Sequence, residues 1–164
     1  DYIILKPKYF REYPDGLKGD DKQQAEDRLT NFFEDSVDAG MQDLEKFARL
    51  MEEVLARGEK VKITMKGYCS PLASTDYNVN LAKRRISSLR NYFAEYKDGV
   101  FKKYISAENP SAATLLLTDV EIGELPLSKV SDDVKDVKNS VYSPYAARER
   151  KIQIIAVSSF ADIK

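Results

Sequence analysis

Two consecutive segments decide the fold: KVKITMKGY at residues 60–68 and, after a turn-rich gap, TDYNVNLAKRRISSLRNYFAEY at residues 75–96. The first segment alternates apolar residues with Lys and Thr, which is the period of a strand with one buried face. The second begins at Thr75 or Asp76, both suitable helix N-caps, and then repeats apolar residues at helical spacing. Together they predict a strand, a loop and a long helix.

Upstream of this pair, residues 41–58 repeat apolar positions at helical spacing and predict an amphipathic helix that ends near Gly58. Residues 20–38 are charged and helical in pattern, and Gly40 is expected to interrupt the helical run. The chain starts with DYIIL, a short apolar run closed by Pro7, which predicts a first strand. The segment between that strand and the charged helix is expected to be a loop.

Downstream, residues 113–121 predict a second strand centred on three leucines, and residues 122–139 predict an irregular insertion. Residues 145–150 predict a turn or short helix, and the alternation in residues 152–156 predicts a final strand. The order strand, helix, strand, helix, strand, strand predicts an α+β fold, with a small mixed sheet and helices packed on one face.

The composition excludes several functional classes. The 164 residues carry a formal net charge of −1, which argues against a nucleic-acid binder held by counterion release. There is no His, so His-based triads and metal sites are excluded, and Cys69 is the single cysteine, so neither an internal disulfide nor a multi-cysteine zinc site can form. No apolar run is long enough to cross a bilayer. The start at Asp1, without Met or signal peptide, leads us to expect a piece of a longer protein.

Arg85 is the anomaly of the long helix. At about 100° per residue it falls inside the apolar stripe, between Leu81 and Leu89, whereas Lys83 and Arg84 fall on the polar side. A guanidinium on an apolar face requires an anion, because burying it unpaired is costly. Either an internal carboxylate neutralises Arg85, or a ligand carboxylate does so through the fixed fork of the guanidinium.

The motifs around this helix fit a known pattern. They are Gly67-Tyr68-Cys69-Ser70, then Tyr77-Asn78-x-x-Leu81-Ala82-x-x-Arg85, then Arg150-Lys151-Ile152-Gln153-Ile154. These segments resemble the OmpA-like C-terminal peptidoglycan-binding domain, which carries Gly-[His/Tyr]-Thr-Asp, Asn-x-x-Leu-Ser-x-x-Arg and Asn-Arg-Arg-Val-Glu-Ile at the corresponding places. The wider sequence of residues 22–33, 77–93 and 139–154 is similar to the branch found in Bacteroidota envelope lipoproteins, including those of type IX secretion.

The resemblance implies the family's βαβαββ fold with an extra N-terminal helix. Residues 1–164 are then a single OmpA-like domain, with insertions at residues 8–38 and 122–139. It also implies a periplasmic location, associated with the outer membrane through parts of the protein outside this chain, and no cofactor, metal or catalytic activity. The implied partners are peptidoglycan and other envelope or secretion-system proteins.

The resemblance also implies the roles of individual residues in gripping the diaminopimelate-containing stem peptide of peptidoglycan. Arg85 would hold the diaminopimelate carboxylate, Asn78 would hydrogen-bond the ligand backbone, and Arg150 would complete the anionic end of the site. Loop atoms would line the pocket at Ser70, Pro71 and Leu72.

Three positions depart from the family pattern. Ser70 stands where the family has its ligand-gripping Asp, Cys69 stands for Thr, and Glu149 stands for the Asn before the Arg pair. A Ser accepts a hydrogen bond from an ammonium but supplies no countercharge, so the amine side of the ligand requires another acceptor. This departure keeps open an alternative, a protein–protein interaction module of the same fold that has lost cell-wall binding.

Other candidate sites carry weaker signals. Cys69 lies next to the predicted pocket, but without His or a second Cys it is expected to be a packed thiol rather than a nucleophile. Asp20-Asp21 and Asp132-Asp133 lack the spaced oxygen ligands of a calcium loop and are expected to be solvated charge. A hydrolytic enzyme is disfavoured because no paired acids are evident.

Overall fold

Helices dominate the N-terminal third, and the rest of the chain combines helices with a small sheet, in an α+β arrangement. A computed structural model describes residues 2–69, 75–105, 113–120, 123–124 and 135–159. The helices are α1 (Tyr2–Glu12), α2 (Gly19–Phe32), α3 (Ala39–Ala56), α4 (Thr75–Glu95), α5 (Lys102–Ile105), α6 (Val137–Ser140) and α7 (Pro144–Glu149), with a π-helical segment at Phe33–Asp38 and a 3₁₀ turn at Tyr96–Asp98. The strands are β1 (Lys60–Cys69), β2 (Thr114–Asp119), β3 (Gly123–Glu124) and β4 (Ile152–Ser159).

The sheet is built around β1. Strand β2 pairs with β1 in parallel, from Lys60 opposite Thr114 to Met65 opposite Asp119, and α4 makes the connection that two parallel strands require. The two-residue β3 also pairs in parallel, opposite the end of β1. Strand β4 pairs antiparallel on β1, and its register shifts between Thr64 and Met65, as at a β-bulge.

One face of β1 carries the main core. Val61, Ile63 and Met65 are buried and alternate with half-exposed neighbours, as the sequence predicts. Helices α3 and α4 pack on this face, so the buried residues of both join those of β1 and β2 in one group. We call this group the sheet cluster; its fully buried members include Ala48, Met51, Leu55, Ile86, Leu89, Phe93, Phe101, Leu115 and Leu117.

A second and separate group of buried side chains fills the N-terminal region. It joins α1, α2 and the π-helical segment to α7, and most of its members are aromatic. We call it the N-terminal cluster; its buried members are Tyr9, Tyr13, Ala25, Leu29, Phe32, Phe33 and Ala147. Neighbouring rings meet edge to face, such as Phe32 and Phe33 with centroids 5.1 Å apart, an arrangement that aromatic pairs favour.

The prediction of a first strand at residues 1–5 is wrong. Residues 2–5 lie in α1, and the apolar side chains that suggested a strand are exposed, with Ile3 at 67% and Ile4 at 81%. Packing against α2 explains the helix, because Tyr2, Tyr9 and Tyr13 recur at spacings that bring them to one side of α1. Pro7 lies inside α1 rather than closing a strand.

Two further boundaries differ from the predictions. Gly40 does not interrupt the helical run, because the π-helical segment leads directly into α3 and a helical Gly costs only about 1 kcal/mol relative to Ala. The segment at residues 8–19, expected to be a loop, lies in α1 as far as Glu12, whereas residues 13–18 are the turn that leads into α2. The helices near residues 41–58 and 75–96, and the strands near residues 60–68, 113–121 and 152–156, are confirmed.

Candidate functional site

Arg85 lies on the inward side of α4, as its place in the apolar stripe predicts. It is half-buried, and the next residue along, Ile86, is buried in the sheet cluster. Its Nη1 donates a hydrogen bond of 3.0 Å to the carbonyl oxygen of Tyr68 near the end of β1. Lys83 and Arg84, by contrast, are exposed on the other side of the helix. The guanidinium of Arg85 is therefore held at the end of the central strand.

Gly67 sets how closely α4 approaches this strand. A Cβ at Gly67 would lie 3.0 Å from the carbonyl oxygen of Ala82 and 3.3 Å from Cγ1 of Ile86. At such tight contacts α4 would have to give by a few tenths of an ångström, so the glycine permits the close packing that brings Arg85 to the Tyr68 carbonyl. Gly67, the glycine of the sequence motif, therefore allows α4 to pack closely on β1.

Arg150 lies at the same end of the sheet. The backbone N–H of Tyr68 donates to the carbonyl of Lys151 at 2.8 Å, which ties the end of β1 to the start of β4. Arg150 itself folds back on α7: its Nε donates to the carbonyl of Ala146 at 3.1 Å and its Nη2 to that of Val141 at 2.5 Å. The structure therefore brings Arg85 and Arg150 to the two sides of one backbone junction.

Two tyrosines of α1 lie within the electrostatic reach of both arginines. The Tyr2 hydroxyl donates to the carbonyl of Ala147 at 3.3 Å. Burial raises the pKa of Tyr2, and the positive charges of Arg150 and Arg85 oppose that rise. Burial likewise raises the pKa of Tyr9 to about 12, against the lowering effect of the same two arginines. Neither residue is predicted from the sequence, because Tyr2 lies in the segment that favours a strand and Tyr9 in the segment expected to be a loop. The helical spacing of the tyrosines is the signal that could have found them.

The remaining predicted site residues are not placed relative to these arginines. Ser70, Pro71 and Leu72 lie outside the described residues. Asn78 lies in the first turn of α4, but its side chain is also outside the description. Cys69 ends β1.

A polar depression of about 510 Å³ lies on the opposite side of α4 from Arg85. It is lined by Asn80, Lys83, Arg84, Ser87, Ser88 and Asn91. These residues belong to the helix side that the sequence predicts to be solvated, and the depression is open to solvent. It includes neither Arg85 nor Arg150.

The two arginines of this junction supply a type of group that can bind anions. Guanidinium groups donate several hydrogen bonds in a fixed geometry that suits carboxylates. In the part of the chain that the structure describes, no three Cys, Asp or Glu side chains converge as metal ligands. Within those same residues, no helix combines the length and apolar character needed to span a bilayer.

Comparisons with protein-family models, with curated proteins and with solved structures find no match for this chain.

Proposed function

We propose that this chain is a non-catalytic peptidoglycan-binding module of the OmpA-like fold. In this proposal it grips the diaminopimelate-containing stem peptide and anchors an outer-membrane-associated assembly, such as a type IX secretion machine, to the cell wall. The described residues have an α+β architecture, and the proposal adds that its elements are arranged as in the OmpA-like family. It also carries over the roles of Ser70, Pro71, Leu72 and Asn78 as the resemblance implies them.

The observation that supports the proposal best is the position of Arg85. An inward arginine on an otherwise apolar helix stripe is expensive, and here it reaches a backbone carbonyl at the strand end that precedes the motif loop. Arg150, the other arginine implied by the resemblance, lies across the junction made by Tyr68 and Lys151. Two guanidinium groups at one strand end suit an acidic ligand with more than one carboxylate.

A second candidate function is a protein–protein interaction module of the same fold without wall binding. The substitution of Ser70 for the family's Asp favours it, since the ligand ammonium then lacks its countercharge. Retention on purified peptidoglycan sacculi separates the two. The wall-binding module co-sediments with sacculi, whereas the interaction module stays in the supernatant.

Arg85→Ala tests the role of this arginine directly. We expect binding of a soluble diaminopimelate-containing muropeptide, measured by calorimetry, to weaken by about thirtyfold or more, because a desolvated charge-assisted contact is worth about 2–5 kcal/mol. Arg84→Ala is the matched control: it removes the same group from the adjacent, exposed position and leaves binding unchanged.

Arg85→Lys sharpens the result. It keeps the charge but removes the bidentate fork, so we expect intermediate affinity. If folded Arg85→Ala protein binds the muropeptide as the wild type does, Arg85 is not a ligand residue and the proposed site is wrong.

A further inference from the structure

The face of the sheet that turns away from α3 and α4 is strongly basic. On β1 this face presents Lys60, Lys62 and Lys66, which alternate with the buried core residues of the same strand. Lys66 and Lys151 both lie over the Tyr68 ring, each with its Nζ 5.2 Å from the centroid, so Lys151 belongs to the same face. We call this surface the lysine face.

The register of the strands shows what surrounds these lysines. Lys62 lies between Leu116 on β2 and Ser158 on β4, and Lys66 lies beside Gln153. At these positions β1, β2 and β4 carry no Asp or Glu, and Asp119 instead pairs with Arg90 of α4 on the helix side. The strand positions beside Lys62 and Lys66 therefore add no negative charge to this part of the lysine face.

Uncharged side chains lie between and beside the lysines of this face. Leu116 is 42% exposed. The hydroxyls of Thr64 and Thr118 lie 3.3 Å apart, and Ala156 flanks Thr64 on the other side. These uncharged groups beside the lysines supply contact area, and the lysines supply the charge that a complementary surface must oppose.

The charge that complements this face is carried by another part of the same molecule. Residues 19–56, which form α2, the π-helical segment and α3, carry eleven Asp and Glu against four Lys and Arg, a net charge of −7. We call this region the acidic layer. Glu34, Asp35 and Asp38 of the π-helical segment are exposed, and the described residues give their side chains no ion pair.

We propose that the lysine face docks onto the acidic layer of a second copy of this chain. Two lysine faces would repel each other, so the contact joins different surfaces of the two copies. Such a heterologous contact repeats from copy to copy and gives head-to-tail assemblies unless the rotation closes a ring. This inference goes beyond the proposed function and does not use Arg85 or Arg150.

Sedimentation velocity of the whole chain tests the proposal. At about 10 mM salt, where the Debye length is about 30 Å, we expect the weight-average mass to rise with protein concentration. At about 1 M salt, where the Debye length is about 3 Å, the mass falls towards that of the monomer. A wild-type chain that stays monomeric at low salt and at its highest soluble concentration overturns the proposal.

A charge exchange identifies the surfaces. Lys62→Glu/Lys66→Glu is expected to weaken self-association at least about tenfold, and Glu34→Lys/Asp35→Lys/Asp38→Lys to do the same from the other side. Mixing the two variants restores assembly, because each then offers a surface opposite in charge to one on its partner. Lys83→Glu/Arg84→Glu, an equal charge change on the exposed side of α4, is the control and associates like the wild type.

Two results contradict the pairing of these surfaces. The first is association of Lys62→Glu/Lys66→Glu at the wild-type strength. The second is a monomeric wild-type chain that binds phosphatidylglycerol vesicles through Lys62 and Lys66, which assigns the lysine face to an anionic membrane instead. Circular dichroism of each variant establishes that the chain is folded.

Discussion

The sheet cluster and the N-terminal cluster bury their side chains by different means. In the sheet cluster, aliphatic residues of β1 and β2 alternate in and out, and amphipathic helices cover one face. In the N-terminal cluster, rings from α1, α2 and the π-helical segment pack mostly on one another, with Ala147 of α7 as the contribution from the far end of the chain. The first depends on strand register and the second on ring contacts between helices.

This difference matters for the candidate site, which lies where the two regions meet. Arg85 lies on α4, which contributes to the sheet cluster, and donates to the end of β1. Arg150 instead donates to carbonyls within α7 and just before it, and α7 packs on α2. Tyr2 links α1 to α7 through its hydroxyl. The relative position of the two arginines therefore depends on both clusters.

Truncating one buried ring in each cluster gives the largest expected effect and tests their independence. Phe93 of the sheet cluster and Phe32 of the N-terminal cluster are 0% and 2% exposed. We expect Phe93→Ala to lower the free energy of unfolding of the whole domain by about 3–5 kcal/mol, through lost burial and a residual cavity. Phe32→Ala should cost a similar amount, but chiefly in the local opening of α1 and α2.

Amide hydrogen exchange distinguishes these outcomes, with Thr30→Ala as a control at an exposed position of α2. Phe93→Ala should reduce protection everywhere, and Phe32→Ala should reduce it in α1 and α2 while β1 stays protected. Equal loss of protection in β1 from both variants would mean that the two clusters unfold as one unit.

The same contrast explains which parts of the fold and of the candidate site could be predicted from the sequence. β1 and α4 were predicted because their periodicity of burial lies within one segment, and Arg85 stood out as an exception to that periodicity. α1 was not predicted because local apolar composition favours a strand, whereas packing of Tyr2, Tyr9 and Tyr13 against α2 decides the structure. Arg150 could be proposed only by resemblance, since its contacts, the carbonyls of Val141 and Ala146, belong to no periodic pattern.

A pH titration that compares wild type with Tyr9→Phe sharpens the comparison by isolating one group of the N-terminal cluster. The pKa of Tyr9 rises from 10.0 to about 12 on folding, so the folded state keeps its proton where the unfolded state loses it. The stability that this pKa difference contributes is fully present below pH 10 and is lost as the pH rises from about 10 to about 12. Through this residue the wild type loses about 2 kcal/mol of stability at alkaline pH, and we expect Tyr9→Phe not to show that loss.

Urea unfolding at several alkaline pH values measures the effect. The difference in unfolding free energy between wild type and Tyr9→Phe should be constant near neutral pH and shift in favour of the variant above pH 10. A difference that does not change with pH would show that the Tyr9 phenol ionises equally in both states.

The smallest expected effect concerns the hydrogen bond from Tyr2 to the carbonyl of Ala147. Tyr2→Phe removes this donor but keeps the ring against Phe32, at a centroid distance of 5.5 Å. We expect a loss of about 0.5–1.5 kcal/mol in the free energy of unfolding, the net worth of one hydrogen bond. Tyr13→Phe is the matched control, since the described residues offer its hydroxyl no hydrogen bond and its removal should cost less.

Because α7 also holds Arg150, muropeptide affinity should fall slightly, by about threefold at most, in Tyr2→Phe alone. A tenfold fall would mean that Tyr2 is itself a ligand contact, and an unchanged affinity together with unchanged stability would remove α1 from the support of the site.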